Sequence, residues 1–374
     1  MAEHIHRRGR GAALNPANPY ERFHLEEDPA ELDEKERRAI PTTFHTDASR
    51  TILSRNDSPD VPFTWSLNPY RGCEHGCVYC YARPGHEYLG YSAGLDFETH
   101  IMVKHDAAHL LAETFERPSW KPAVVALSGA TDPYQPAERR LRITRQCLEV
   151  FLRYRNPVAL ITKNHLVTRD IDLLAEMARL DIVHVNVSVT SLRDDVTAGM
   201  EPRTSRPARR LDAIRELTEA GIRCGVMVAP VIPGLTDEEV PAILAAAREA
   251  GAVRASWIPV RLPGAVEPIF REWLERVHPG RAEKVLARIR SMRGGELNDG
   301  RFGKRMQGEG PWADILNALF RQTTRRLGYE GRAEAEAGSE AGPRAEHFAL
   351  TTRHFRRSQG DLFGLQGGRS VNTP

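Results

Sequence analysis

Between residues 50 and 292, short apolar runs rich in β-branched residues alternate with longer stretches in which apolar positions recur at helical spacing. Gly, Pro or a capping residue marks each junction. "TWSLNPY" (64–70) predicts a first strand, followed by a loop and a helix near Asp106 to Arg117. "AVVALSG" (123–129) precedes a helix from Pro136 to Arg155, and "VALITKN" (158–164) one from Thr168 to Leu180. "IVHVNVSVT" (182–190) leads to Arg206 to Ala220, and "RCGVMVAPVI" (223–232) to Asp237 to Ala250. "ASWIPVRL" (255–262) opens a long helical region ending near Met292. Strands alternating with helices predict an α/β fold with a parallel sheet and right-handed crossovers. Six such units are too few for the eight-stranded barrel and suit a partial (β/α)6 TIM-like barrel, with its chemistry at the C-terminal ends of the strands.

The flanks read differently. Residues 1–50 and 331–374 are polar and without sustained periodicity, so both are expected to be disordered tails, with a short helix possible from Leu32 to Ile40. The core is expected over 51–292, with a helical extension over 293–330.

Composition changes this picture little. Fifty-two basic and fifty acidic side chains leave a formal charge of +2, which neither demands nor excludes a polyanionic partner. The Arg-rich N-terminus lacks the apolar run of a secretory signal, and no stretch reaches the roughly 20 apolar residues of a membrane span, so a cytoplasmic protein without a membrane partner is expected.

Five cysteines change it more, because three of them, Cys73, Cys77 and Cys80, fall in "RGCEHGCVYCYARP" (71–84) with the spacing C-x3-C-x2-C. An odd, clustered set fits a secreted disulfide framework poorly and a metal or cluster in a reducing compartment well. Three thiolates hold three irons of a four-iron cluster and leave the fourth open to a non-protein ligand. The alternative donor set is Cys3His, a structural zinc site completed by His75 or His86 in a non-enzymatic binding protein.

"CEHGCVYC", with Tyr79 just ahead of the last cysteine, resembles the signature of the radical S-adenosylmethionine (SAM) superfamily. The resemblance implies a [4Fe-4S] cluster whose open iron chelates SAM, reductive cleavage of SAM, and a 5′-deoxyadenosyl radical that abstracts a substrate hydrogen. A one-electron donor such as flavodoxin or ferredoxin is the implied partner. "SLNPYRGCEHGCVYCYARP", "SGATDPYQPAE" (128–138) and "EPRTSRPARRLDAIRELTEAGI" (201–222) are similar to the branch that includes spore photoproduct lyase, a DNA-repair enzyme. "NDSPDVPF" with "GLDFETHIMVKH" resembles an uncharacterised bacterial subgroup of that branch, and the likeness covers about residues 50 to 330.

SAM needs partners at neighbouring strand ends. Ser128, Gly129, Ala130 and Thr131, whose small side chains allow close backbone approach, resemble by position the family's glycine-rich motif for the SAM amino group. Lys163 and Asn164 end the third strand, and Ser188 and Thr190 share one face of the fourth. Arg203, in the loop that follows, is placed to meet a carboxylate. "VAPVIPG" (228–234) resembles the segment against which adenine rests, and Tyr79 is expected to add backbone contacts and to shield the cluster.

Spore photoproduct lyases carry a hydrogen-donating cysteine in the segment corresponding to 128–136. This chain reads "SGATDPYQP" there, a departure that argues against the lyase reaction itself. Tyr134 and Tyr81 are the alternative donors. Cys147 and Cys224 fall in a helix and a strand, where cysteines pack as small apolar groups. His105 and His109, four apart, lack the glutamate of the metalloprotease pattern and are expected to be structural.

Substrate class is written more faintly. Arg203, Arg206, Arg209 and Arg210 crowd one loop, and 281–305 carries eight Lys or Arg against three acids, which suits phosphate contacts. "QGDLF" (359–363) resembles the pentapeptide that docks bacterial repair proteins on the DNA sliding clamp through residues such as Gln359, Leu362 and Phe363, with Gly360 where Leu is usual. DNA is therefore the first expected substrate, and a peptide, tRNA or small molecule the alternative.

Overall fold

The computed structural model describes residues 7–22, 40–330 and 350–357. Two short strands, β1 (Thr43–Thr46) and β2 (Leu53–Arg55), precede β3 (Trp65–Leu67) and the two-residue β4 (Tyr70–Arg71). β5 (His100–Val103) follows the cysteine loop. β6 (Val125–Leu127), β7 (Val158–Thr162), β8 (Val183–Ser188), β9 (Cys224–Val231) and β10 (Arg254–Pro259) then alternate with helices.

The main sheet runs β10-β9-β8-β7-β6-β3-β2. Every pair from β3 to β10 is parallel, and β2 is antiparallel at one edge. A strand order that never reverses, with right-handed crossovers, keeps the helices on one side, so the sheet curls about its other face as a partial barrel. A row of paired residues, Leu67, Leu127, Leu160 and Val185, crosses its centre without exposure. Burying each such side chain is worth roughly 1.5–3 kcal/mol, which sets the register firmly. β1, β5 and β4 form a separate small sheet.

The two edges of the open sheet are joined by side chains. Asp60, between β2 and β3, accepts from the Gly303 N–H at 2.7 Å and from Arg305. Arg293 fastens that segment to the other edge, donating to the Val260 carbonyl at 2.9 Å beyond β10 and to the Arg305 carbonyl at 2.9 Å.

Several helices differ from expectation for local reasons. The helix expected over 136–155 is two, Glu138–Leu141 and Ile143–Tyr154, separated at Arg142 with φ 53°. The buried Glu138 carboxylate turns back to accept the Thr144 N–H at 3.0 Å, capping the second helix. The region after β10 breaks at His278 into Val266–Val277 and Pro279–Met292, because Pro279 starts a helix but cannot continue one. The extension over 293–330 contains the helix Pro311–Arg326, and its Ala313, Leu316 and Tyr329 join the core of the barrel.

The flanks require correction. Residues 7–22, expected in a disordered tail, lie as a strap on the cysteine loop, and Ala12 is fully buried. The Gly11 and Ala12 N–H groups each donate to the Glu98 carboxylate at 2.9 Å, and Arg10 donates to the Glu98 carbonyl at 2.8 Å. Residues 350–357 also pack on the domain: Phe355 meets Phe115 edge-on at 6.2 Å, and the Arg356 N–H reaches the Tyr154 carbonyl at 3.0 Å. Irregular polar segments held by distant hydrogen bonds leave no periodic signature, which is why both read as tails. Most of the helix expected from Leu32 to Ile40, and the pentapeptide at 359–363, lie outside the described residues. Among the described residues no helix is long and apolar enough to cross a membrane.

Candidate active site at the cysteine loop

The cysteine loop lies beyond the C-terminal end of β3. Gly72 and Gly76, at φ 78° and 66°, let the chain turn tightly between Arg71 and Cys77. Backbone bonds hold each cysteine: the Cys73 N–H donates to the Phe97 carbonyl at 2.9 Å and the Cys80 N–H to the Cys77 carbonyl at 3.2 Å. The Arg83 Nε donates to the Cys77 carbonyl at 2.9 Å, and Arg83 also binds the Glu98 carboxylate beneath the strap. Cys73 and Cys77 are buried and Cys80 is half-buried.

Burial pushes all three thiols upward, and the thiols raise one another further: Cys80 acts on Cys73, and both act on Cys77. Three soft sulfur donors that crowd one loop and cannot comfortably ionise alone suit a cationic iron–sulfur centre, whose positive charge would favour their thiolate form. The donor set therefore fits a cluster. A zinc site completed by His75 fits less well, because its Nδ1 lies 3.5 Å from Asp132 and its Nε2 3.2 Å from the Asn164 amide. His86 packs instead against Tyr91 and Phe97.

Around the loop stand the strand ends. Ser128 and Gly129 follow β6 with φ of 146° and 117°. The Asn68 side chain accepts from the Ala130 N–H at 2.9 Å and the Thr131 N–H at 3.3 Å, holding this turn to the end of β3. Thr131 Oγ1 donates to the Tyr70 carbonyl at 3.1 Å. Tyr81, directly after Cys80, places its hydroxyl on the Gly129 carbonyl, so the segment resembling the SAM motif touches the cysteine loop.

Lys163, after β7, bridges several parts of the site. Its Nζ donates to the Ala229 carbonyl at 3.0 Å, lies 4.0 Å from Glu201 and stands 5.9 Å from the Tyr79 ring centre. Burial lowers its ammonium to about 8, against the upward pull of Cys77. Ala229 belongs to the "VAPVIPG" segment at the end of β9, whose Val228, Val231 and Ile232 are buried.

Other expected residues are committed elsewhere. Thr190 Oγ1 donates to Glu201 at 3.0 Å, and the Ser188 carbonyl accepts from Arg210 at 3.1 Å. Arg203 does meet a carboxylate, but it is that of Glu74 at 3.0 Å, and its backbone N–H bonds the His75 carbonyl. Tyr134 is fully buried with its hydroxyl on Asp170 at 3.0 Å, so it does not face the mouth where Tyr81 stands. Cys147 and Cys224 are also fully buried, within the core. His109 forms an exposed pair with Glu113 at 3.1 Å.

The residues that organise the site were the hardest to foresee. Glu201, fully enclosed, accepts from Tyr79, Thr190 and Arg210 together. Asp132 accepts from Thr162 Oγ1 at 2.7 Å, the Lys163 N–H at 2.7 Å and the Tyr134 N–H at 2.8 Å. Glu201 and Arg210 both lie in the stretch "EPRTSRPARR", yet nothing in their spacing pairs them.

A family model described as the radical SAM superfamily matches residues 67–247, the span from the end of β3 to the helix after β9. The chain belongs to the radical SAM superfamily. Membership implies a [4Fe-4S] cluster and SAM, and the chain is accordingly an enzyme. An uncharacterized protein of Mycobacterium tuberculosis is 38% identical over 240 residues, 63% of this chain and 71% of the relative. A radical SAM Nalpha-GlyT isomerase of Pseudomonas phage M6 is 26% identical over 172 residues, 46% of this chain and 34% of that one. Among solved structures, a mutant spore photoproduct lyase with bound AdoMet and dinucleoside spore photoproduct superposes with a TM-score of 0.54. Its identity is 16%, over 82% of this chain and 86% of that chain, so the likeness is one of fold. In this radical SAM chain Cys73, Cys77 and Cys80 are the residues that would hold the cluster.

Proposed function

We propose that this radical SAM enzyme abstracts a hydrogen atom from a nucleic-acid substrate, with DNA the first choice. When bound, the cluster and SAM supply the radical chemistry; the chain's own residues position the substrate and exclude water. The observation that carries the reading is a pair of aromatic faces backed by cations at the mouth. Tyr81, 50% exposed, lies under the Arg261 guanidinium at 5.0 Å, and Phe302, 61% exposed, under that of Arg305 at 4.6 Å. Arg293 bridges the segments that carry them, donating to the Val260 and Arg305 carbonyls at 2.9 Å each, so the two pairs stand on neighbouring stretches of chain. Planar bases stack on such faces while guanidinium groups meet phosphates.

The dinucleoside spore photoproduct bound by the spore photoproduct lyase neighbour supports the same class of substrate. Tyr81 is also the better placed of the two tyrosine donors, since Tyr134 is sealed in the core. Gln359, Leu362 and Phe363 would tether the enzyme to the sliding clamp, and a flavodoxin or ferredoxin would reduce it.

The test is anaerobic reconstitution with iron and sulfide, reduction by dithionite, and assay of 5′-deoxyadenosine from SAM. Product that disappears in Cys77→Ala and rises when DNA is added supports the proposal. Production stimulated by a peptide or tRNA but indifferent to DNA overturns the substrate assignment.

A further inference from the structure

The strap does more than cover the cysteine loop. Together with residues 40–42 and the loop after β8 it borders an open cleft of about 270 Å3, lined by Arg8, Gly9, Arg10, Thr42 and Arg203 among others. Two separate parts of the chain thus bring three guanidinium groups to one small space, Arg8 and Arg10 from the strap and Arg203 from the loop after β8, and among the described residues no acid lines it.

Two of these cations, Arg10 and Arg203, meet at a single hydroxyl. Arg10 Nη2 donates to Thr42 Oγ1 at 3.0 Å and to the Ile40 carbonyl at 2.8 Å, and Arg203 Nη1 reaches the same Thr42 oxygen at 3.4 Å. Behind Thr42 stands Glu74, which accepts its hydroxyl at 2.8 Å and pairs with Arg203 at 3.0 Å. The Glu98 carboxylate is already shared among the Gly11 and Ala12 N–H groups and Arg83. Burial first and Arg203 second hold Arg10 below its ordinary value, while Glu98 and Glu74 pull it upward.

The geometry points to this cleft as a phosphate-binding site, the phosphate being a backbone group of the nucleic-acid substrate. Guanidinium forks converging from different chain segments suit a tetrahedral anion. A concave site of this size admits one such group and does not offer the broad face that an acidic protein partner needs. Arg203 leads from the cleft through Glu74 to the loop of the cluster, so a phosphate seated there would fix the strand relative to the cysteines. This inference rests on the nucleic-acid reading only for the carrier of the phosphate, not for the affinity of the cleft.

The experiment measures binding of a fluorescent single-stranded oligonucleotide to the full-length reconstituted protein at several salt concentrations. Wild type is compared with Arg8→Gln and Arg8→Lys. Arg8 is exposed, so its replacement leaves the buried network in place, and iron content and circular dichroism report folding. Loss of one phosphate contact in Arg8→Gln should weaken binding several-fold and reduce the salt slope by about 0.7, while Arg8→Lys keeps most of the slope.

Equal affinity and slope in wild type and Arg8→Gln would overturn the cleft while leaving the nucleic-acid reading intact. Failure to bind oligonucleotide, with binding of inorganic phosphate that depends on Arg8, would uphold the anion site and overturn its carrier. Arg8-dependent binding of an acidic flavodoxin, with no response to phosphate, would overturn the phosphate assignment.

Discussion

A Cβ on Gly11 would stand 1.8 Å from the carbonyl oxygen of Gly76, so the strap and the cysteine loop meet backbone to backbone. Gly76 lies between two of the cysteines, and Ala12 belongs to the apolar cluster that includes Cys77, Val78 and Tyr79. The strap is thereby a wall of the site. Gly94 makes the same demand at its other end, where a Cβ would come 2.0 Å from the Leu14 carbonyl oxygen.

Gly11→Val is therefore expected to lift the strap and expose the loop. Reconstituted variant protein should lose its visible absorbance in air several-fold faster than wild type. Identical bleaching rates would show that the strap does not protect the cluster.

Glu201 and Arg210 form an enclosed ion pair that also anchors Tyr79 and Thr190. Removing one charge leaves the other stranded, so Glu201→Gln should cost about 3–5 kcal/mol, read from the urea midpoint. Replacing both with apolar residues of similar volume should recover much of that loss. If the single variant is as stable as wild type, the pair is not a keystone of this end of the barrel.

The aromatic faces at the mouth make a binding prediction separate from the strap. Tyr81→Ala or Phe302→Ala should each weaken oligonucleotide affinity by about 1–3 kcal/mol, the worth of one stacked base. Tyr81→Phe should retain that affinity, because the ring remains and only the bond to Gly129 is lost. Unchanged binding in both alanine variants would remove the main support for a nucleobase substrate.

His86 makes a pH prediction. Burial lowers its imidazole to about 4, and its Nε2 is buried without a hydrogen-bond partner. The unfolded chain takes up this proton near pH 6.5 while the folded chain resists it, so stability should fall as pH drops from about 6.5 towards 4. His86→Phe keeps the packing against Tyr91 and Phe97 and lacks the titrating group. Its urea midpoint should decline less between pH 7 and 5 than that of wild type, and equal declines would assign the effect elsewhere.

Much of the framework was legible. The run expected at 158–164 is β7 at Val158–Thr162, and that at 182–190 contains β8 at Val183–Ser188. Both are strands buried on two faces, which write themselves as continuous apolar runs. The cysteine spacing was equally direct, since neighbouring thiolates need only a short loop to share one centre. Arg203 was harder: its place in the loop after β8 was clear, but not that Glu74 and Thr42 would draw it to the strap.

Local pattern thus determined the alternating units, the partial barrel and the three cysteines, because each depends on residues within a few positions of one another. Only the tertiary structure decided that Glu98 would gather the strap from 87 residues away, that Glu201 would meet Tyr79 across 122, and that Arg8, Arg10 and Arg203 would share one cleft. A polar contact of that kind depends on geometry made by the whole fold and has no period along the chain. Hydropathy therefore records where the core lies and is silent about which charges meet above it.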